Sequence, residues 1–238
     1  QPPATPPTWS RKDITDSHLL PHPAGTLPDE PAYEADMMNL FLVVEIGDHH
    51  VTLLDGDTME PIHRFASRYA LHGGPKYSPD GRFVYFGSRD GWITKYDLYN
   101  LEVTAEVRAG INMRNIAVSA DGEHVMAANY LPHTLVLFDA ENLELMEIIP
   151  VQSGPDSSRV SAVYAAPPRN SFIAALKDIP EAWEITIEDG AARVRRMQTE
   201  RLSKPLKPRA PAFSCAVTKT PAMPGWMSSS APTKTRST

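Results

Sequence analysis

An all-β chain forming a partial β-propeller is the fold the sequence predicts, and three observations carry that prediction. Between residues 39 and 188, short apolar runs alternate with turn residues, and almost no stretch has helical periodicity. Aspartates that close a strand recur at Asp55, Asp97 and Asp139, each 42 residues after the last. The turns Ser78-Pro79-Asp80-Gly81 and Ser119-Ala120-Asp121-Gly122 stand 41 residues apart, and the glycine of an Asp-Gly pair takes the positive φ that a tight hairpin needs. A period of about 40–45 residues carrying four short strands is that of a propeller blade.

Residues 1–36 are rich in proline and poor in apolar clusters, which reads as a semi-rigid linker or arm lying over a surface. The propeller body spans 37–190. Its strands are read in the runs 41–47, 50–55, 82–88, 92–97, 124–130, 134–139, 159–165, 171–177 and 182–187, where β-branched and aromatic residues sit between turn formers. Pro167-Pro168-Arg169-Asn170 falls where a third copy of the turn is due. Residues 39–190 amount to about 3.6 blades, fewer than the roughly 4–8 that close a ring. The expectation is an open arc that exposes apolar blade surface and folds poorly alone. After Gly190 the alternation stops. Residues 191–238 are expected to form a basic, low-complexity tail without strands, either genuine and disordered or out of frame.

Composition narrows the function classes. A hydrophobic content of 42% suffices for a packed core, and no run of eighteen apolar residues offers a membrane-spanning helix. Gln1 opens the chain with no charged-then-apolar leader behind it, as a mature product or a fragment would. The net charge of −6 is uneven: 28 of the 29 acidic residues lie within 1–190, and 10 of the 23 Lys and Arg lie within 191–238. An acidic body argues against a nucleic-acid surface. Cys215 is the single cysteine, so the chain forms no internal disulfide and carries no CxxCH for covalent c-type haem. Nucleophile-elbow, P-loop, dinucleotide-binding, HExxH and paired-cysteine zinc patterns are all absent.

Residues that precede the first long strand of successive blades share one end of a propeller although they lie some forty positions apart. That register groups His72 and Lys76 with Arg114 and Arg159. A histidine among cations suits an anionic ligand that also carries a metal, since imidazole binds iron while Arg and Lys pair with carboxylates. Each residue also has a plainer reading. His72 before Gly73-Gly74 reads equally as a hydrogen-bonding turn residue, Arg114 and Arg159 as partners of blade-edge carboxylates, and Arg89 as a turn or salt-bridge residue. Tyr85, Tyr96, Tyr130 and the Met37-Met38 pair read as core or inter-blade packing. His49 and His50, adjacent on a strand, would point to opposite faces. His63, His124 and His133 read as solvated.

The run ALHGGPKYSPDGRFVYFGSRDGWITKYDLYNLEVTAEVRAGINMRNIAVSADG, with ANYLPHTLVLFD and SSRVSAVYAAPPRNSFIAALKDIPEAWEI, resembles the haem d1 propeller family. That family contains the periplasmic cytochrome cd1 nitrite reductases and their relatives in haem d1 biosynthesis. The resemblance covers about residues 39–187 and implies that the chain holds about 3.6 of an expected eight four-stranded blades. The strings LHGGPKYSPDGR, GINMRN and ALKDIPEAWE are nearer the biosynthetic relatives, which implies dihydro-haem d1 dehydrogenase activity in the last step of haem d1 biosynthesis for denitrification. A non-catalytic tetrapyrrole carrier or scaffold and a nitrite reductase d1 domain are the alternatives.

The resemblance also implies site residues, cofactors and partners. His72 matches the proximal iron ligand. Lys76, Arg89, Arg114 and Arg159 match cations near the macrocycle's carboxylates, and Tyr130 matches a pocket-lining position. The cofactor implied is haem d1 or dihydro-haem d1, with c-type haem only in an upstream domain that the linker resembles the end of. The partners implied are a cytochrome cd1 nitrite reductase and other haem d1 biosynthesis proteins, and the location implied is the periplasm. Glu45 and Ile46 stand where the reductases place a further arginine. The family's distal histidines come from later blades that have no counterpart here, so no catalytic residue is assigned.

Overall fold

The computed structural model describes residues 7–199. Four antiparallel sheets follow one another along the chain, each a simple meander. The first joins β1 (Leu40–Glu45), β2 (His50–Asp55) and β3 (Pro61–Ala66). The second joins β4 (Lys76–Tyr77), β5 (Phe83–Gly87), β6 (Trp92–Asp97) and β7 (Glu102–Arg108). The third joins β8 (Asn112–Val118), β9 (His124–Leu131), β10 (Thr134–Asp139) and β11 (Leu145–Pro150). A small ladder of β12 (Gln152–Ser153) and β13 (Asp156–Ser157) leads to the fourth, β14 (Val160–Ala166), β15 (Ser171–Leu176), β16 (Glu181–Glu188) and β17 (Ala191–Gln198). No described helix is long and apolar enough to cross a membrane.

The sheets stack face to face, with one apolar core between each neighbouring pair, which is the packing of consecutive propeller blades. Val51, Leu53 and Phe65 of the first sheet meet Val84, Phe86 and Tyr96 of the second, and the Phe65 and Tyr96 rings stack at 4.0 Å. Tyr85, Ile93 and Val107 of the second meet Ile116, Val125 and Phe138 of the third. Met126, Leu135 and Leu137 of the third meet Val163, Phe172 and Trp183 of the fourth. Asn115 ties two innermost strands together: its Nδ2 donates to Val163 O at 2.8 Å, and its Oδ1 accepts from Val163 N at 2.9 Å. The expected partial propeller is therefore present.

Two boundaries differ from the sequence expectation. Residues 191–198 are β17, the outer strand of the fourth blade, paired with β16 from Glu188↔Ala191 to Glu181↔Gln198. The strandless tail expected from residue 191 therefore does not begin there, and the rest of that expectation, from residue 200, lies outside the described residues. Backbone pairing carries β17 where side-chain alternation does not, because Arg193, Arg195 and Arg196 are exposed. The count of about 3.6 blades becomes four sheets, of which the first is short by one strand. Asp55 closes β2 as Asp97 closes β6 and Asp139 closes β10, so β1 is equivalent to β5 and β9, and the missing strand is the innermost one. On the outward face of β1, Phe41 is 50% and Val43 is 44% exposed.

The arm is held to the second blade. It contains a short helix, α1 (Arg11–Asp16), started by a capping box in which Ser10 and Asp13 bond reciprocally. Ile14 is buried in the core shared by the second and third blades, with Trp9 and Leu20 packed beside it. Trp9 Nε1 donates to Arg108 O at 3.0 Å, and Leu19 exchanges backbone bonds with Glu106 at 2.8 and 2.9 Å. The outer edge of β7 is thereby covered, which blunts an open sheet edge. Tyr85 and Tyr96 are core residues as read. Of the methionine pair, Met37 packs inward and Met38 is exposed. His49 lies in the turn before β2 rather than on a strand.

Candidate functional site

Because successive strands of each sheet run antiparallel, the start of a first strand and the end of a second strand lie at the same rim. His72 and Lys76 open the first strand of the second blade, Arg114 lies near the start of β8, and Arg159 immediately precedes β14. Arg89 follows β5, and Tyr130 lies near the end of β9. All six residues singled out in the sequence therefore share one rim.

The backbone around His72 is shaped for close approach. His72 N donates to Gly87 O at 2.8 Å, after which the chain leaves the sheet through Gly73 and Gly74, at φ of +87° and +71°. A Cβ at Gly73 would lie 2.6 Å from Asn115 Cβ, so only glycine lets this loop lie against the third blade. There His72 Nδ1 meets Arg114 O at 2.6 Å. That carbonyl is available because Arg114 is a bulge residue: pairing passes from Met113↔Asn129 to Asn115↔Ala128 and skips it.

A carbonyl oxygen only accepts, so Nδ1 carries the proton, and in the neutral imidazole Nε2 keeps its lone pair. This is the arrangement found in histidines that ligate metals. A cavity of about 290 Å³ beside the ring is lined by Val44, Ile46, Leu71, Phe86 and residues 73–75. An apolar wall with one imidazole fits a single axial ligand to a metal carried by a macrocycle. The one described group of three potential metal ligands, Asp121, Glu123 and His124, lies at the opposite rim, where Asp121 is already bonded to Ser119 and Asn170.

The cations divide sharply. Arg159 forms a bidentate pair with Asp178, at 2.9 and 2.6 Å, and this pairing holds the Asp178 carboxyl well below the usual carboxylate range. Arg114 has no hydrogen-bond partner for its buried Nε among the described residues, and its guanidinium lies 4.7 Å from the Tyr130 ring centroid. Lys76 Nζ donates only to the carbonyls of Gly73 and Gly74, at 2.8 and 3.4 Å, and burial draws its pKa down. Arg89 is exposed, and its backbone bonds to Ala70 and Met113 fix where it starts.

The sequence reading missed two neighbours at this rim, Lys177 and Asp178, and read a third, His133, as solvated. Lys177 Nζ lies 3.1 Å from Tyr130 Oη, Asp178 holds Arg159, and His133 Nδ1 contacts Ser157 Oγ at 2.8 Å. Lys177 follows β15 as Leu131 ends β9, so matching second-strand ends would have found it. The geometry thus links His72 to Arg114 through a backbone carbonyl, and Arg114, Arg159 and Lys177 through the Tyr130 ring.

Residues 35–204 match the model of the Cytochrome D1 heme domain. A dihydro-heme d1 dehydrogenase of Pseudomonas aeruginosa is 62% identical over 191 residues, covering 80% of this chain and 39% of that protein. Protein NirF of Stutzerimonas stutzeri is 32% identical over 156 residues, covering 64% of this chain and 40% of that protein. A solved structure of the dihydro-heme d1 dehydrogenase NirN in complex with DHE superposes with a TM-score of 0.80 at 60% identity, covering 83% of this chain and 43% of that one. The chain spans about two fifths of the length of these relatives. On the match to residues 35–204, it belongs to the cytochrome d1 haem domain family.

Proposed function

We propose that this chain supplies the proximal half of the haem d1 site of a dihydro-haem d1 dehydrogenase. His72 Nε2 would be the axial iron ligand, and Lys76, Arg89 and Arg114 would face the carboxylates of the macrocycle. One observation carries the reading: His72 Nδ1 is tied to Arg114 O at 2.6 Å, which leaves Nε2 free, and the guanidinium of the same Arg114 has no carboxylate partner among the described residues. When bound, the tetrapyrrole supplies the iron and a conjugated system able to give up two electrons and two protons. The chain's own residues bind and orient. The Arg114 carbonyl fixes the ring of His72, the loop at Gly73-Gly74 lets it approach, and Val44, Ile46 and Phe86 give the cavity beside it an apolar wall.

A second reading, a tetrapyrrole carrier that hands its ligand to a cytochrome cd1 nitrite reductase, is favoured by a different observation. Among the described residues, no acid or base other than His72 lines the cavity beside it. Both readings carry a periplasmic location, which recovery of the protein in the periplasmic fraction would support. Titrating the chain with haem d1 should give a Soret shift that His72→Ala abolishes, and an unchanged shift in that variant overturns both readings. Incubation with dihydro-haem d1 and an electron acceptor separates them: conversion of the spectrum supports the dehydrogenase, and a stable bound spectrum supports the carrier.

A further inference from the structure

The phenol of Tyr130 is surrounded by three cations. Arg114 and Arg159 lie 4.7 and 5.3 Å from its ring centroid, and the Lys177 ammonium lies 5.3 Å from the centroid and 3.1 Å from the phenol oxygen. Arg159 is neutralised by Asp178, whereas Arg114 and Lys177 form no ion pair among the described residues. The chemistry of the close contact has a direction. An ammonium has only donors, so Tyr130 Oη must accept from Lys177, and the hydroxyl proton of Tyr130 must point elsewhere. That proton meets no described acceptor, and the field around it is positive.

We infer that Lys177 is a positioning residue: by donating to Tyr130 Oη it turns the tyrosine hydroxyl into an obligatory donor to an anionic oxygen, a carboxylate of the bound tetrapyrrole. The inference rests on the tetrapyrrole reading of the rim and adds a specificity element to it, on the side of the third and fourth blades rather than beside His72. Lys177 acts through Tyr130. Its removal therefore frees the phenol to turn its proton away from the ligand, and costs nothing further once the hydroxyl is gone.

The test is a titration of the full chain with haemin, whose two propionates supply carboxylates, and with haemin dimethyl ester, followed by the Soret band. Lys177 is exposed, so its substitution leaves the fold intact, checked by circular dichroism. Lys177→Met and Tyr130→Phe should each weaken haemin binding about tenfold and reduce the preference for the acid over the ester by a similar factor, as expected for one hydrogen bond to a charged group. Lys177→Met in the Tyr130→Phe background should cost less than about twofold, and Lys177→Arg, also donor-only, should stay within about twofold of the parent. An equal loss on removing Lys177 in both backgrounds overturns the inference, as does unchanged haemin binding in Lys177→Met. If His72→Ala still abolishes the Soret shift in that case, only the inference falls. Failure of the parent chain to take up haemin, or an unaltered shift in His72→Ala, brings down the tetrapyrrole reading and the inference with it.

Discussion

Arg82 and Arg114 lie at opposite rims of the same stack of sheets, and their surroundings could hardly differ more. Arg82 bonds Asp97 through Nε and Nη2, bonds Asp29 through Nη1 at 2.6 Å, and reaches Pro28 O at 2.8 Å. Asp97 also accepts from Tyr99 N and Asn100 Nδ2, at 2.8 and 2.9 Å. Asp139 serves its turn likewise through Asn142 N, and Asp55 through Asp57 N. At that rim every strand-closing aspartate has a turn to hold. At the other rim the second blade's first strand is broken at Gly73-Gly74, β8 bulges at Arg114, and the Arg114 guanidinium has a buried nitrogen without a partner. A buried charge that brings its own counter-ion serves the fold. One left without a counter-ion costs stability, and under the proposed function a carboxylate of the ligand would supply the missing partner.

The largest effect that this contrast predicts is at Asp97, which is fully buried. Asp97→Ala leaves Arg82 facing only the exposed Asp29 and strips a turn of its acceptor, so it should destabilise by about 3–5 kcal/mol in urea unfolding. A loss under about 1 kcal/mol would break the idea that this rim is where the charges stabilise the fold. Next comes Gly73→Ala. The new Cβ meets Asn115 Cβ at 2.6 Å and must adopt a φ of +87°, so a cost of about 2 kcal/mol is expected, together with weakened iron ligation as His72 is pushed off Arg114 O. Full retention of the Soret shift in that variant would show that the close approach of the loop is dispensable.

Lys95 gives a pH-dependent effect of similar size on the structural side. It is buried at the cleft between the second and third blades, and its Nζ donates to Glu141 O at 2.8 Å. Desolvation lowers its pKa from 10.5 to about 8. Between those values the unfolded chain holds a proton that the folded chain does not, so stability falls as the pH drops toward 8 and is level below it. Urea unfolding of the parent should therefore show a gain of about 2 kcal/mol from pH 8 to pH 10, absent in Lys95→Met. Identical pH profiles would show that this rim solvates its lysine after all.

The two rims also differ in how far the sequence discloses them. Asp-Gly turns and strand-closing aspartates act through neighbours two or three residues away, so their 42-residue period is visible in the chain, and the blades with it. Inner strands such as β9 and β10 are buried on both faces and read as apolar runs. Outer strands are half-solvated: β17, with Arg193, Arg195 and Arg196 exposed, shows no pattern, because its ladder with β16 rather than its side chains keeps it in place. At the rim that holds His72 the register brought His72 and Arg114 together. It could not show that the contact uses the Arg114 carbonyl, because a bulge is a change in pairing rather than in composition. Lys177 is reached only by extending the same register to the ends of the second strands, because its partner Tyr130 lies on another blade, outside any local motif.

The smallest stability change tests the contrast most directly. Arg114→Gln removes a guanidinium that makes no ion pair among the described residues, while its backbone carbonyl, which holds His72, is retained. Urea unfolding should shift by no more than about 0.5 kcal/mol, and could move toward higher stability, since an uncompensated partly buried charge has been removed. Haemin affinity should nonetheless fall about tenfold, the value of a charge-assisted bond to a carboxylate. Arg82→Gln should show the reverse, with a clear loss of stability and unchanged haemin affinity. If Arg114→Gln destabilises as much as Arg82→Gln and binds haemin as tightly as the parent, then Arg114 is a structural cation like Arg82, and the difference between the rims is one of geometry alone.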